Sequence, residues 1–273
     1  MGKLAQFDLT GKVIVISGGT GVLGGSWASA LANAGAKIAI LGRNEKKTDE
    51  KVKEIEANGG EVIAVITDVL EEKQVENAKT TILEKWGQVD GLINAAGGNI
   101  PESVVMPDQD LFSLKISDLK KALDLNLYGT VIPTQIFAAE MAKRKEGVIL
   151  NVSSITGKKP LTRVMGYGMA KCAIESYTEW MAIELAQRYG DRMRINAIAP
   201  GFFLTTQNKD LLLNKDGSYA DRAQKIVNGT PYGRLGKTEE LDGTVIYLMS
   251  DASKFVTGET VMVDGGFNAF FGV

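Results

Sequence analysis

Seven short runs rich in Val, Ile and Ala punctuate the chain, at Lys12–Ser17, Lys37–Leu41, Glu61–Thr67, Gly91–Asn94, Gly147–Val152, Arg194–Ala199 and Thr260–Val263. Most are apolar throughout rather than alternating, the pattern of strands buried on both faces. Between them lie longer segments of helical periodicity, at Ser26–Ala34, Glu45–Asn58, Val75–Trp86, Ser117–Lys143 and Met165–Tyr189. Strands that alternate with helices predict an α/β fold, a doubly wound parallel sheet with helices on both faces. No repeat, low-complexity tract or Pro/Ser-rich linker interrupts residues 1–273, so the whole chain is expected to form a single domain. Two segments break the rhythm, Gly97–Leu114 and Phe202–Tyr232. Both follow the carboxyl ends of strands, where open α/β sheets bind ligands, and they are the expected substrate loops.

Composition narrows the possible chemistry. With 273 residues, 44% hydrophobic and 23% charged, the chain can bury a large core. A net charge of -2 with both signs interspersed argues against a nucleic-acid partner. No run reaches the roughly 18 apolar residues of a membrane helix, so no membrane partner is expected. Cys172 is the single cysteine, and the start MGKLAQFDLT lacks a secretory apolar stretch, so a reducing cytoplasm is expected. There is no histidine, which excludes histidine-based triads and histidine zinc sites; no metal is expected. Proton transfer near neutral pH then falls to a perturbed Tyr, Lys or carboxylate.

The first strand runs into Gly18, Gly19, Thr20, Gly21, Val22, Leu23, Gly24 and Gly25, followed by a helix. Glycines there permit a tight turn and close approach of backbone to a pyrophosphate, whose charge a helix N-terminus stabilises. A dinucleotide-binding, Rossmann-like sheet follows. The second strand ends at Gly42–Arg43–Asn44, without the acid that would clasp the adenosine ribose of NAD. Arg43 offers a planar cation to a 2'-phosphate, so NADP is the preferred reading and NAD the alternative.

Further along, Tyr167 stands four residues before Lys171, which places both on one helical face, and Ser154 stands thirteen residues before Tyr167. An ammonium beside a phenol favours phenolate and is expected to lower the tyrosine pKa from about 10. A hydroxyl and a phenol converging on one oxygen suit a carbonyl/alcohol interconversion.

In order and spacing, GGTGVLGG, Asp68–Val69, Asn94–Ala95–Ala96–Gly97, Asn126, Ser154, Tyr167-x-x-x-Lys171 and Pro200–Gly201 resemble the short-chain dehydrogenase/reductase family over essentially the whole chain. The resemblance implies Tyr167 as acid/base, Lys171 as its tuner and the holder of the nicotinamide ribose, Ser154 as the group that orients the substrate oxygen, and Asn126 as support for the lysine. It also implies cofactor contacts at Gly18, Thr20, Gly21, Val22, Leu23, Gly24, Arg43, Asn44, Asp68, Val69, Asn94, Ala95, Ala96, Gly97, Pro200, Gly201 and Thr205. One departure is visible: Val22 stands where the family pattern has the middle glycine of the loop. Family members assemble through two long central helices, so a homodimer or homotetramer is expected.

The additions Gly97–Leu114, the stretch PGFFLTTQNKDLLLNKDGSYADRAQKI and the terminus VDGGFNAFFGV are similar to the D-mannonate oxidoreductase (fructuronate reductase) subgroup. In that subgroup the first loop begins Gly-Gly-Asn-His, whereas Ile100 follows Asn99 here. A small sugar-acid partner needs a cation for its carboxylate and polar groups for its hydroxyls, for which Asn99, Arg163, Gln207, Asn208 and Lys209 are the candidates. Gluconate 5-dehydrogenase and 3-oxoacyl thioester reductase chemistry would use the same four catalytic positions, and a silent dinucleotide-binding scaffold is the non-enzyme alternative. Phe267, Phe270 and Phe271 are read as subunit contacts, Cys172 as helix packing, and Ser153 as structural.

Overall fold

In the computed structural model, which describes residues 4–205 and 208–272, the elements run β1 (Val13–Ser17), α1 (Val22–Asn33), β2 (Lys37–Gly42), α2 (Glu45–Ala57), β3 (Glu61–Ile66), α3 (Glu72–Trp86) and β4 (Gly91–Asn94). The second half continues with α4 (Ile116–Leu123), α5 (Gly129–Arg144), β5 (Gly147–Val152), α6 (Met165–Tyr189), β6 (Met193–Pro200), α7 (Lys209–Leu212), α8 (Asp221–Asn228), α9 (Asp242–Met249) and β7 (Thr260–Val263). The strands form one sheet in the order β3-β2-β1-β4-β5-β6-β7, every pairing parallel.

The alternation of side chains along β1 sorts the core into two layers. Ile14 and Ile16 pack with Trp27 and Leu31 of α1 and Val245 and Leu248 of α9. Val13 and Val15 face the other way, onto Val75 and Ile82 of α3, Phe137 of α5 and Leu185 of α6. Burial on both sides explains why the strands read as continuous apolar runs.

The segment expected as one helix over Ser117–Lys143 is interrupted. Between α4 and α5 the chain makes a π-helical turn at Asp124–Tyr128. Such turns gather at functional sites, and this one contains Asn126. The segment 97–114 carries two short 3₁₀ turns, Pro101–Ser103 and Leu111–Ser113. The segment after β6 folds into α7 and α8 around a small core of Leu212, Ala223, Ile226, Val227 and Leu235. Among the described residues no helix is long and apolar enough to cross a membrane.

Candidate active site

Parallel strands all end at the same edge of the sheet, so the loops after β1, β4, β5 and β6 share one rim. After β5 the chain enters the 3₁₀ turn Ile155–Gly157, capped by Ser154, whose Oγ accepts from the Thr156 amide at 3.2 Å. With that lone pair engaged, the buried Ser154 hydroxyl keeps its proton for a second partner. That partner is Tyr167, with which it hydrogen-bonds. One helical turn on, the Lys171 ammonium lies over the Tyr167 ring, 5.3 Å from its centroid, and Nζ donates to the Val152 carbonyl at 2.7 Å.

The electrostatics depart from expectation. Burial raises the Tyr167 pKa above its ordinary value, and the Ser154 hydrogen bond opposes the rise. Burial also brings Lys171 down to about 7, with no carboxylate offsetting the loss of water. A lysine that sheds its own proton near neutrality lends little positive field, so desolvation of the phenolate decides the direction for the tyrosine.

Asn126 comes from the π turn and is wholly buried. Its Oδ1 accepts from the Gly98 amide and its Nδ2 donates to the Gly98 carbonyl, both at 2.9 Å, with a further bond to Ala122 O. Gly97 sits in the gap this clamp leaves. A Cβ there would lie 2.8 Å from Asn126 Oδ1 and 3.6 Å from Lys171 Nζ, which puts the loop after β4 beside the lysine.

The glycine loop lies on the same rim. Gly18 has φ +66° and presses on the backbone of Ala95 and Ala96, within 2.8 Å of where its Cβ would be. A Cβ on Gly24 would stand 2.5 Å from the Gly18 carbonyl oxygen. Val22 is the first residue of α1, and its predecessor Gly21 provides no side-chain cap. The first turn also carries no acid, so the amide end of α1 stays open to a diphosphate. The missing middle glycine therefore leaves the cradle intact, and the site fits a dinucleotide. At the adenosine side, Arg43 is 67% exposed and 3.7 Å from the Asp68 carboxylate. Val69 is buried, and Asn44 spends its side chain capping α2 through the Lys47 amide. Gly201 donates to Val263 O at the end of β6, next to Pro200.

A family model described as Enoyl-(Acyl carrier protein) reductase matches residues 21–268. The uncharacterized oxidoreductase UxuB of Bacillus subtilis is 44% identical over 97% of this chain and 98% of its own length. A Haemophilus influenza structure described as a candidate D-mannonate oxidoreductase with bound NAD superposes with a TM-score of 0.91 at 38% identity, covering 97% of this chain and 98% of that one. A gluconate 5-dehydrogenase from Burkholderia cenocepacia, in complex with NADP and tartrate, gives a TM-score of 0.86 at 31% identity over 98% and 100% of the two chains. The chain is a short-chain dehydrogenase/reductase.

Not every residue expected at the site of this dehydrogenase faces it. Asn94 is buried in the sheet, its Nδ2 donating to Thr134 Oγ1 at 2.8 Å and Asn151 Oδ1 at 2.9 Å, so its side chain joins the core and not a cofactor. Asn208 is committed as well. Its Oδ1 accepts from the Thr205 amide and its Nδ2 donates to Phe203 O, so the side chain braces the local backbone. Lys209 is exposed at the start of α7 and Asn99 is exposed after β4, while Gln207 lies outside the described residues. Cys172 is exposed, its Sγ donating to Gly157 O at 3.2 Å instead of packing in a helix interface. Phe267 packs edge-on against Phe202 at 5.1 Å within the chain, whereas Phe271 is 88% exposed.

Arg163 lies on the loop leading from β5 into α6 at φ +79°, a region that non-glycine residues avoid. The Val105 amide bonds its carbonyl at 3.0 Å, joining the 97–114 segment to it. Sequence reasoning missed Arg222, in the first turn of α8. Burial, and then the nearby Arg163 charge, lowers its pKa. Among the described residues neither guanidinium has a carboxylate in salt-bridge range. Glu175 was also missed, although its position four residues after Lys171 places it on the same helical face. Cavities of about 220 Å³ beside Phe202, Tyr232 and Asp264 and about 350 Å³ at the amino ends of the strands include none of Ser154, Tyr167 and Lys171.

Proposed function

We propose that this enzyme interconverts the ketone and alcohol of a small sugar acid, with D-fructuronate and D-mannonate as the pair and NADP as the preferred cofactor. The reading is carried by Tyr167 set between the buried Ser154 and Lys171, in a chain similar to a candidate D-mannonate oxidoreductase and a gluconate 5-dehydrogenase. In reduction, Ser154 donates a hydrogen bond to the carbonyl oxygen and Tyr167 gives that oxygen its proton. The raised tyrosine pKa keeps this proton in place at neutral pH. When bound, a reduced nicotinamide would supply the hydride. Lys171 would hold the ribose hydroxyls of the bound cofactor, while Asn126 fixes the Gly98 backbone behind it.

Arg163 supports a substrate carboxylate, since it is a cation at the rim without an acidic partner. Arg43 supports NADP, and Asp68 at 3.7 Å tempers that preference by drawing on the same guanidinium. We also read the outer face of α6, where Trp180 and Ile183 are 57% and 58% exposed, as the subunit contact of a homodimer or homotetramer. A cytoplasmic location accords with one free thiol.

Initial rates of NADPH and NADH oxidation with D-fructuronate, set against 5-ketogluconate and a 3-oxoacyl thioester, test the reading. Selective turnover of D-fructuronate with NADPH supports it. Preference for the thioester would replace the substrate and leave the acid/base group in place.

A further inference from the structure

Helix α6 does more than present Tyr167 and Lys171. One turn beyond the lysine, Glu175 is 5% exposed. Its Oε1 accepts from the Ser153 hydroxyl at 2.8 Å, and its Oε2 meets the Lys158 ammonium at 2.9 Å. Gly157 lies so tightly against the carboxylate that a Cβ there would collide with Oε1. These three contacts surround Ser154: one partner precedes it in the chain and two follow within four residues. The turn between them is small and fully wrapped. Ser154 caps it, Cys172 binds its Gly157 carbonyl, and Thr156 Oγ1 is buried there without a partner.

A buried carboxylate is an expensive way to pack a helix against a loop, because replacing such a pair with apolar groups is often neutral or stabilising. What the charge adds is direction. It fixes two points on either side of one hydroxyl, a constraint that an apolar contact would leave loose. Lys158 is more than two-fifths exposed on its side chain and contributes from the solvent side, so the device is anchored by the buried acid.

We propose that Glu175 is a positioning residue for Ser154: through Ser153, Gly157 and Lys158 it sets where the Ser154 hydroxyl meets the reacting oxygen. The proposal rests on Ser154 holding that oxygen in the reaction proposed above. Among the described residues the hydrogen bond and ion pair of Glu175 go to Ser153 and Lys158, on either side of Ser154, so its effect runs through the serine.

The test is a double-mutant cycle in the intact enzyme, read as kcat, KM and NADPH dissociation constant, with Glu175→Gln, Ser154→Ala and the pair. Glu175→Gln keeps the shape and an acceptor for Ser153 but loses the Lys158 ion pair. It is expected to lower kcat about tenfold, since small misplacements at a reacting centre are costly, with NADPH affinity unchanged. In the Ser154→Ala background the same change is expected to have no further effect. Lys158→Met, on the exposed side, gives the same pattern at smaller amplitude and keeps the test open should Glu175→Gln fold poorly. An undiminished loss of kcat in the Ser154→Ala background, or full activity in both Glu175→Gln and Lys158→Met, overturns the proposal. Full activity in Ser154→Ala alone overturns the reading of the serine instead, and the two failures are thereby separate.

Discussion

The wall around Ser154 and the segment from Phe202 to Tyr232 are built on opposite plans. The wall is a strand end gripped by a 25-residue helix, with Lys171 on Val152, Cys172 on Gly157 and Glu175 on Ser153. The segment is made of helices of 4 and 8 residues that satisfy their polar groups locally, Asn208 on Thr205 and Phe203, Asn214 on Ser218 and Tyr219. Leu212, Ala223, Ile226 and Val227 join a small core with Leu235, while Phe203 packs into the main core. The wall is thus set by side-chain contacts distant in sequence, and the segment's polar side chains by near neighbours. The second can change without moving the first.

The largest effect should come from the wall. Tyr167→Phe is expected to lower kcat by about 100- to 10,000-fold and leave NADPH affinity nearly intact, as measured by turnover and by fluorescence titration. Unchanged turnover would remove the tyrosine from the chemistry. Lys171→Met should abolish most activity and yet stabilise the fold at low pH. The folded lysine titrates near 7 and the unfolded one near 10.4, so between these values the unfolded chain binds the extra proton and stability rises with pH. Below about 7 the wild type carries the full cost of a buried ammonium, on the order of a few kcal/mol, which methionine avoids. Calorimetry at pH 6 and pH 9 should find a clear gain in Tm for the variant at pH 6 and a smaller one at pH 9.

Gly24→Ala should destabilise by about 1–3 kcal/mol and weaken dinucleotide binding, because its Cβ meets the Gly18 backbone, which has no flexible end to yield. On the substrate side, Arg163→Gly removes a cation and relaxes a positive φ together. KM for the sugar acid should rise about tenfold, as fits one charge-assisted hydrogen bond, while an uncharged ketose is unaffected and Tm stays level or rises. An equal loss for both substrates would place Arg163 outside the carboxylate site. Smallest of all, Arg43→Ala should reduce the NADPH-over-NADH preference in kcat/KM by about threefold to tenfold, modest because the side chain is exposed and shared with Asp68.

How much was legible follows the same division. The seven strands were readable because burial on both faces leaves an unbroken apolar run, and strand ends moved by only one residue, as with Met193–Pro200 against Arg194–Ala199. Tyr167 and Lys171 were readable because a fixed helical spacing carries their geometry. The tyrosine's pKa was misjudged, since the number of residues between two groups says nothing of how much water each loses. Asn208 looked free because its partners are backbone atoms, which have no signature in a sequence. The π turn at Asp124–Tyr128 was hidden for a related reason: it changes the hydrogen-bond register without changing which residues are apolar.

The place of β1 inside the sheet, between β2 and β4, governs the order in which the molecule can be assembled. Its neighbours are β2, made soon after it, and β4, whose flank holds Asp90, bonded to the Val13 amide 77 positions away. The floor under Gly18 is the backbone of Ala95 and Ala96. On the ribosome the glycine loop therefore emerges long before the surface that shapes it, and a nascent chain without β4 offers a nucleotide no formed cradle. Closing that distant pairing is a slow step for a parallel sheet. A cellular dinucleotide can accordingly stabilise the finished molecule by mass action but cannot chaperone its first half, so variants that weaken β4 should be lost to aggregation or proteolysis before any cofactor can rescue them.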